Sequence, residues 1–328
     1  MSATGDRRIG AVLIGRNEGE RLVRCLDSVL GQIDRAVYVD SGSTDDSVAA
    51  ARRAGAQVAE LDMSVPFTAA RARNAGLEAL LTQGPLDYVQ FVDGDCELRA
   101  DWTGRAAAFL EATPKAAVAC GRRRERFPDA SVYNAMCDRE WDTPIGQAKA
   151  CGGDALMRVS ALREVSGFDP GLIAGEEPEL CVRLRRAGWQ VWRLDAEMTL
   201  HDAAMTRFGQ WWKRARRGGH AAAEGMAMHG AAPEYHGVAA SLRALAWGLA
   251  LPLAILGLAV FATPWALALA LVYPLQVLRL VRREGMGQPG AWTHSVLLTL
   301  IKFPETVGIF EYALGRLFPK PKRLIEYK

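Results

Sequence analysis

Short apolar runs alternate with helical patterns along the first half of the chain. The runs at 9–15, 35–40, 56–61 and 87–93 have the length of buried strands, and the segments between them have helical patterns. Strands that alternate with helices are typical of βαβ units, whose strands form a parallel sheet. The pattern therefore predicts an α/β domain with a mainly parallel sheet flanked by helices.

The pattern is less regular in the middle of the chain, where strands are expected at 116–127 and 149–159. A helix is expected to begin at Pro178, because proline is favoured at the first helical position, and Gly188 lies beyond its end. One more strand follows at 189–195. These elements extend the predicted domain beyond its first four strands.

A different pattern begins near residue 244. Residues 244–278 include no charged side chain, and these 35 positions exceed the roughly 20 apolar residues that one membrane-spanning helix needs. A turn at Thr263-Pro264 would divide the segment into a transmembrane helical hairpin. The alternative is a hairpin buried in a protein core. Both ends of the hairpin are expected in the cytoplasm by the positive-inside rule, because they are flanked by Arg243, Arg279, Arg282 and Arg283.

The tail of the chain, at 291–318, is apolar but interrupted by polar residues and a proline. The interruptions are Lys302, Glu305 and Glu311, and Pro304 lies among them. This mixture predicts an amphipathic helix that lies on the membrane surface, rather than a third span.

Net charge and cysteine usage narrow the class of protein. The 328 residues carry a net charge of +3, which gives no reason to expect a nucleic acid partner. The six cysteines form no C-x-x-C pair, which suits a reducing compartment. The first apolar run, Ile9–Ile14, is too short for a signal peptide, so the α/β domain is expected in the cytoplasm.

Polar motifs follow three of the predicted strands, at the edge where α/β sheets bind ligands. "GRNEGE" begins at Gly15, "VDSGSTD" contains Asp40, and "DGD" is Asp93-Gly94-Asp95. Two neighbouring carboxylates repel each other, so the third motif predicts a bound cation. Carboxylate oxygens are the ligands that a hard divalent cation prefers.

Five segments together resemble family 2 of the GT-A glycosyltransferases, which are inverting enzymes that use nucleotide sugars. The resemblance covers Ile9 to Gly219 and implies a GT-A fold, a Rossmann-like sheet with an added acceptor half. The segments are "LIGRNEGERLVRCLDSVL", "VYVDSGSTDDSVAAA", "ARARNAGLEAL", "FVDGDCEL" and "GFDPGLIAGEEPELCVRLRRAGW".

The resemblance implies a metal site at the acidic pair, which corresponds to the D-x-D motif of the family. Asp95 is then the expected direct ligand of Mg2+ or Mn2+, and Asp93 lies near the metal or the ribose. His201 is a third candidate ligand, because a histidine of this region completes the metal shell in several relatives of the fold. A structural role for this histidine is the alternative.

The resemblance also assigns residues to the nucleotide sugar. Asp40 is expected to accept a hydrogen bond from the base edge, while Arg16 and Glu18 lie where the family contacts base and ribose. Arg73 resembles an arginine on the phosphate side of the donor; the alternative is a solvated helix charge.

The catalytic base is expected in the pair Glu176-Glu177. Inversion needs one carboxylate to take the proton of the attacking hydroxyl. Relatives usually have Glu-Asp here, and Glu177 falls on the aspartate position, so it is preferred, with Glu176 as the alternative. A helix N-terminus beside this glutamate is expected to favour its ionised form.

The segment Gln210–His220 loosely resembles a Q-x-x-R-W segment of the family, although its tryptophans precede its basic residues. A basic helix at the membrane surface is an equal alternative. The candidates for contact with the diphosphate or the acceptor are Trp211, Trp212, Arg214 and Arg217.

Together the resemblance and the hairpin imply a glycosyltransferase at the cytoplasmic membrane, with its catalytic domain facing the cytoplasm. It would move a sugar from a UDP- or GDP-sugar to a polyprenyl-linked or other membrane-proximal acceptor, in the synthesis of a surface polysaccharide. The alternatives are a polyprenyl-phosphate sugar synthase and an inactive nucleotide-sugar-binding membrane scaffold. The predicted organisation is a disordered N-terminus at 1–8, a GT-A domain at 9–220, a linker at 221–241, a transmembrane hairpin at 242–283, and an interfacial helix with a tail at 284–328.

Overall fold

The computed structural model describes residues 7–318. It divides into two compact units, of which the first comprises residues 7–127 and 137–203, and the second comprises 128–136 and 204–318. The predicted GT-A domain extends to residue 220, whereas the first unit ends at Ala203. Residues 1–6 of the predicted N-terminal tail and residues 319–328 of the predicted C-terminal tail lie outside the described part of the chain.

The first unit is built on one mixed sheet, with strand order β3-β2-β1-β4-β8-β6-β9-β5 and β7 beside β9. The four N-terminal strands pair in parallel, as expected. The joins of β8 to β4 and β6, and those of β5 and β7 to β9, are antiparallel. The strands are β1 (Ile9–Gly15), β2 (Arg35–Asp40), β3 (Gln57–Glu60), β4 (Tyr88–Asp93), β5 (Cys96–Leu98), β6 (Ala116–Glu125), β7 (Gly146–Gln147), β8 (Ala155–Arg158) and β9 (Gln190–His201).

Helices join these strands and pack against the sheet. Their apolar faces and the central strands form one core that is rich in Val, Leu and Ala. The helices up to β9 are α1 (Glu20–Leu30), α2 (Ser47–Arg53), α3 (Ala69–Thr82), α4 (Trp102–Ala112), α5 (Val132–Glu140), α6 (Val159–Glu164) and α7 (Glu176–Arg186).

Helix α3 lies unusually close to the sheet because Gly76 carries no side chain. A Cβ at this position would lie 2.9 Å from the Val39 Cγ2 atom and closer still to Val12. These contacts hold α3 against β1 and β2, so its polar N-terminal turn is fixed at the carboxyl edge of the parallel strands.

Helix α7 begins two residues earlier than Pro178, at Glu176. Gly175 precedes it with a φ of 77°, a left-handed conformation that glycine adopts without strain. Both glutamates therefore belong to the first helical turn, and the expectation of Pro178 at the first helical position is wrong. Strand β9 is also longer than predicted, since it continues without a break to His201.

The second unit is helical and contains two stretches long and apolar enough to cross a membrane, Val238–Phe261 and Pro264–Glu284. The break between them falls at the predicted Thr263-Pro264 turn. Both stretches are largely uncovered by protein, and Phe261 and Trp265 are 91% and 85% exposed. Its elements are α8 (Phe208–His229), α9 (Val238–Leu245), a π-helical turn (Ala246–Ala250), α10 (Leu251–Phe261), a 3-10 segment (Pro264–Leu271), α11 (Val272–Glu284), α12 (Ala291–Leu300) and α13 (Lys302–Leu317).

The predicted interfacial segment forms two helices, and α13 packs against α8 with backbones in contact. Gly219 of α8 faces Glu305, and Gly308 of α13 faces Arg216, with no room for a Cβ at either glycine. Thr306 also donates a hydrogen bond to the Ala244 carbonyl at 2.8 Å. One face of α13 is therefore covered within the unit.

Candidate active site

The acidic turn joins β4 to β5 at the carboxyl end of the parallel strands. The Gly94 N–H donates to the Ile14 carbonyl at 2.8 Å. A Cβ at Gly94 would lie 3.1 Å from that oxygen and 3.3 Å from the Glu18 Cγ atom. Gly94 thus allows the close approach of β1 and Glu18, and this contact fixes the turn against the end of β1.

Asp95 and His201 lie together on one side of the turn. The His201 Nε2 atom is 3.2 Å from Asp95 Oδ2, and the opposite ring nitrogen is 3.8 Å from Glu125 Oε2. One ligand atom from each of Asp95, Cys96 and His201 lies within 4.8 Å of the others, and all three residues are buried. A carboxylate and an imidazole suit Mn2+ or a similar cation. The Glu125 carboxylate lies behind the histidine, just beyond hydrogen-bond distance of its ring.

Asp93 is held on the other side of the turn by arginine. Arg73 donates to Asp93 at 2.8 Å and to Glu176 at 2.6 Å, so one guanidinium bridges the turn and helix α7. Burial lowers the pKa of Arg73, but the charges of Asp93 and Glu176 outweigh it, and the pKa lies above its ordinary value. Arg123 approaches Asp93 to 3.8 Å. The structure thus associates Asp93 with arginines.

Glu177 faces away from Arg73, toward two cysteines. Its Oε1 atom accepts from the Cys151 N–H at 2.5 Å and from the Cys181 thiol at 3.0 Å. Burial raises the pKa of Glu177 above its ordinary value, and the hydrogen bonds from Cys151 and Cys181 offset only part of this effect. This direction is opposite to the expected preference for the ionised form.

The predicted nucleotide-binding residues lie on the loops after β1 and β2. Asp40 is buried, and its carboxylate accepts from the backbone N–H groups of Gly42 and Ser43 at 2.9 and 2.8 Å and from the Tyr38 hydroxyl at 3.1 Å. A carboxylate has about four acceptor sites, so these contacts leave about one unused. Glu18 pairs with Arg21 at 2.9 Å, and Arg16 is exposed.

The structure brings nine of the predicted residues into the first unit, and four others belong to the second. Trp211, Trp212, Arg214 and Arg217 all lie on α8. Trp211 is fully buried and packs against Phe208 and Tyr133, so it is a packing residue of its unit.

Sequence reasoning missed three residues beside the acidic turn. Asp154 is fully buried and accepts from the Asp93 N–H. Arg123 lies over the ring of Trp141, whose centroid is 4.7 Å from that of His201. The "GGD" before β8, a charge at the start of a buried strand, was a signal for Asp154; Trp141 had none.

The family model described as "Glycosyl transferase family 2" matches residues 11–164. These residues are a family 2 glycosyltransferase domain. The chain is similar to the "Pre-mycofactocin glycosyltransferase" of Mycobacterium tuberculosis, at 29% identity over 220 residues, which are 61% of this chain and 44% of that protein. It is also similar to the "Succinoglycan biosynthesis protein ExoA" of Rhizobium meliloti, at 27% identity over 173 residues, which cover 49% of this chain and 52% of that one. The matches thus span about half the length of these curated relatives.

A solved structure shares the architecture of this chain. The mannosyltransferase PcManGT of Pyrobaculum calidifontis, solved with GDP-Man and Mn2+, superposes with a TM-score of 0.66 at 20% identity. The superposition covers 97% of this chain and 89% of that one. At this identity the likeness establishes the fold, and it confirms the predicted GT-A class with a C-terminal helical region.

Proposed function

We propose that the chain is an inverting, metal-dependent glycosyltransferase that uses a UDP- or GDP-sugar. The observation that carries the proposal is the acidic turn, which presents Asp95 beside His201 on one side and Asp93 beside Arg73 on the other. Similar proteins with glycosyltransferase names support the class of reaction.

The residues at the turn fit a divalent cation. Asp95 and His201 would hold Mg2+ or Mn2+, with Glu125 behind the histidine. Such an ion would neutralise charge on the departing nucleoside diphosphate. The mannosyltransferase from P. calidifontis was solved with Mn2+, which supports this choice. Asp93 is proposed to remain in the ion pair with Arg73 and to orient the phosphate side of the donor.

The nucleotide is proposed to bind across the loops after β1 and β2. Asp40 is rigidly held by Gly42, Ser43 and Tyr38, so its remaining acceptor site points in a fixed direction. Such preorganisation suits recognition of a base edge. Arg16 and Glu18 are the proposed contacts of the base and ribose.

Glu177 is the proposed general base, with Glu176 as the alternative. Glu176 is committed to an ion pair with Arg73 at 2.6 Å. Glu177 instead accepts hydrogen bonds from Cys151 and Cys181, and burial raises its pKa toward the working range of a general base. It would take the proton of the acceptor hydroxyl as the sugar is transferred.

The acceptor is proposed to be a polyprenyl-linked or other membrane-proximal saccharide. The two apolar stretches support an anchor in the cytoplasmic membrane, and the arginines that flank them favour a cytoplasmic catalytic side. Trp212, Arg214 and Arg217 stay predicted contacts of the diphosphate or the acceptor.

A donor and acceptor screen on the detergent-solubilised full chain tests this function. We expect release of UDP or GDP only when a nucleotide sugar, Mn2+ or Mg2+ and a lipid-linked saccharide are all present. Transfer to polyprenyl phosphate alone would instead identify a polyprenyl-phosphate sugar synthase. Tight nucleotide-sugar binding without transfer to any acceptor would identify a binding scaffold. Nucleotide binding that is unchanged by chelator, measured by calorimetry, would refute the metal role of Asp95.

A further inference from the structure

The loop before β8, Cys151-Gly152-Gly153-Asp154, lies between the acidic turn and the two glutamates. At one end the Cys151 N–H donates to Glu177. At the other end Asp154 accepts from the Asp93 N–H at 2.9 Å. Four consecutive residues therefore contact both the proposed metal-binding turn and the proposed base.

Asp154 is a fully buried carboxylate, and a buried charge is costly unless donors and opposite charges surround it. Besides Asp93, it accepts from the Thr199 hydroxyl at 3.0 Å and pairs with Arg123 at 2.9 Å. These partners come from the end of β4, from β9 and from β6. The carboxylate thus ties three strands together directly beneath the turn.

Gly153 provides a second, independent constraint on the same geometry. A Cβ at this position would lie 2.6 Å from Asp93 Oδ2, 2.9 Å from Arg73 Nη2 and 3.3 Å from Arg123 Nη2. Gly153 has no positive φ, so the restriction at this position comes from space alone: an added Cβ would displace the ends of these three side chains. The loop backbone therefore forms one wall around the Asp93 carboxylate.

We propose that Asp154 is a positioning residue that holds the Asp93–Asp95 turn in the geometry that binds a divalent cation, with Gly153 allowing the close approach. The inference rests on the proposed function only in taking the turn as the metal site. Asp154 acts through the Asp93 backbone and Arg123 and contacts neither donor nor acceptor. Its removal leaves the ligands Asp95 and His201 present but less well oriented.

The test is the affinity for Mn2+ alone, measured by electron paramagnetic resonance on the full chain in detergent, well below the unfolding temperature. Asp154→Asn replaces an acceptor by a donor facing Arg123, and we expect the Kd for Mn2+ to rise by about 10- to 100-fold, as for other groups that orient metal ligands. The matched control Thr199→Val removes one neutral contact of Asp154 and leaves the Asp93 contact, so its Kd should change far less.

Gly153→Ala tests the geometry with Asp154 intact. It also keeps the inference testable if Asp154→Asn does not fold. It should weaken Mn2+ binding, whereas Gly104→Ala, at a glycine with no atom within 4 Å of the added Cβ, should not. Wild-type affinity in Asp154→Asn or in Gly153→Ala, an equal loss in Thr199→Val, or no Mn2+ binding by the natural chain would overturn the inference. A natural chain that binds Mn2+ but transfers no sugar would refute the proposed function and leave the role of Asp154 standing.

Discussion

The carboxyl edge of the sheet and the apolar hairpin differ in their charged residues. At the sheet edge, buried charges such as Arg73, Asp95 and Asp154 are each matched by an opposite charge or a hydrogen-bond donor. In the hairpin, residues 244–278 carry no charge at all and leave most of their apolar side chains uncovered. The comparison indicates that the sheet edge can bury charges because it pairs them, whereas the hairpin has no charges and has a surface suited to lipid.

The largest expected effect concerns the proposed base at the sheet edge. Glu177→Gln should lower kcat by about 10²- to 10⁴-fold, because an amide cannot take the proton from the attacking hydroxyl group. Donor affinity, measured by calorimetry with Mn2+, should remain. The paired variant Glu176→Gln should weaken the link to Arg73 instead. If Glu177→Gln turns over normally and Glu176→Gln does not, the base is Glu176.

Removing one partner of a buried ion pair should cost far more stability than removing one partner of an exposed pair. Arg73→Met leaves Asp93 and Glu176 without their shared cation, and we expect a loss of about 3–5 kcal/mol in the free energy of unfolding. The control is Arg52→Met, whose partner Glu60 is 2.7 Å away with both side chains 61% exposed, and which should cost about 0–1 kcal/mol. Denaturant titration in detergent compares the two, and equal losses would contradict the distinction.

A charge placed in the hairpin should be costly, because the hairpin offers no opposite charge to pair with it. Leu256 is 55% exposed in α10, and Leu256→Arg should cost about 2.5–3.5 kcal/mol of membrane insertion. The measurement is the fraction of protein that resists carbonate extraction from membranes. Val65→Arg, at an exposed site of the first unit, serves as the control. An unchanged fraction for Leu256→Arg would favour the alternative of a hairpin buried against protein.

The smallest expected effect is a displaced pH dependence. Since burial raises the pKa of Glu177, the base is protonated over a wider acidic range than an exposed glutamate, whose pKa is about 4.3. Turnover should therefore fall on acidification at a pH above that value. The residual turnover of Glu177→Gln should not show this acidic fall.

The raised pKa also affects the pH dependence of stability, because folding favours the neutral form of Glu177. Its contribution to stability is full below the unfolded-state pKa and is lost as pH rises through the folded-state pKa. An acidic fall of turnover at the ordinary pKa would contradict the burial argument.

The local pattern of the sequence was enough to predict β1 to β4, the turn at Thr263-Pro264 and the acidic pair, because each depends on neighbouring residues. The bridge from Asp93 through Arg73 to Glu176 was not predictable, since it joins residues 20 and 103 positions apart. The same limit applies to the antiparallel joins of β8, which no local periodicity encodes.

The environment of Glu177 depended on a single conformational detail. The left-handed residue Gly175 starts α7 at Glu176, and this turns the two adjacent glutamates toward different partners. A motif fixes which residue types are present, but the direction of each side chain follows from the helix start and from the loop at Cys151.

The close approach of α3 to the sheet has an evolutionary consequence. Gly76 lies one turn after Arg73 on the same helix, and any larger residue there would push α3 away from Val12 and Val39. The arginine would then move away from Asp93 although its own codon is unchanged. In a deep mutational scan, Gly76 should therefore tolerate as few substitutions as Arg73 itself.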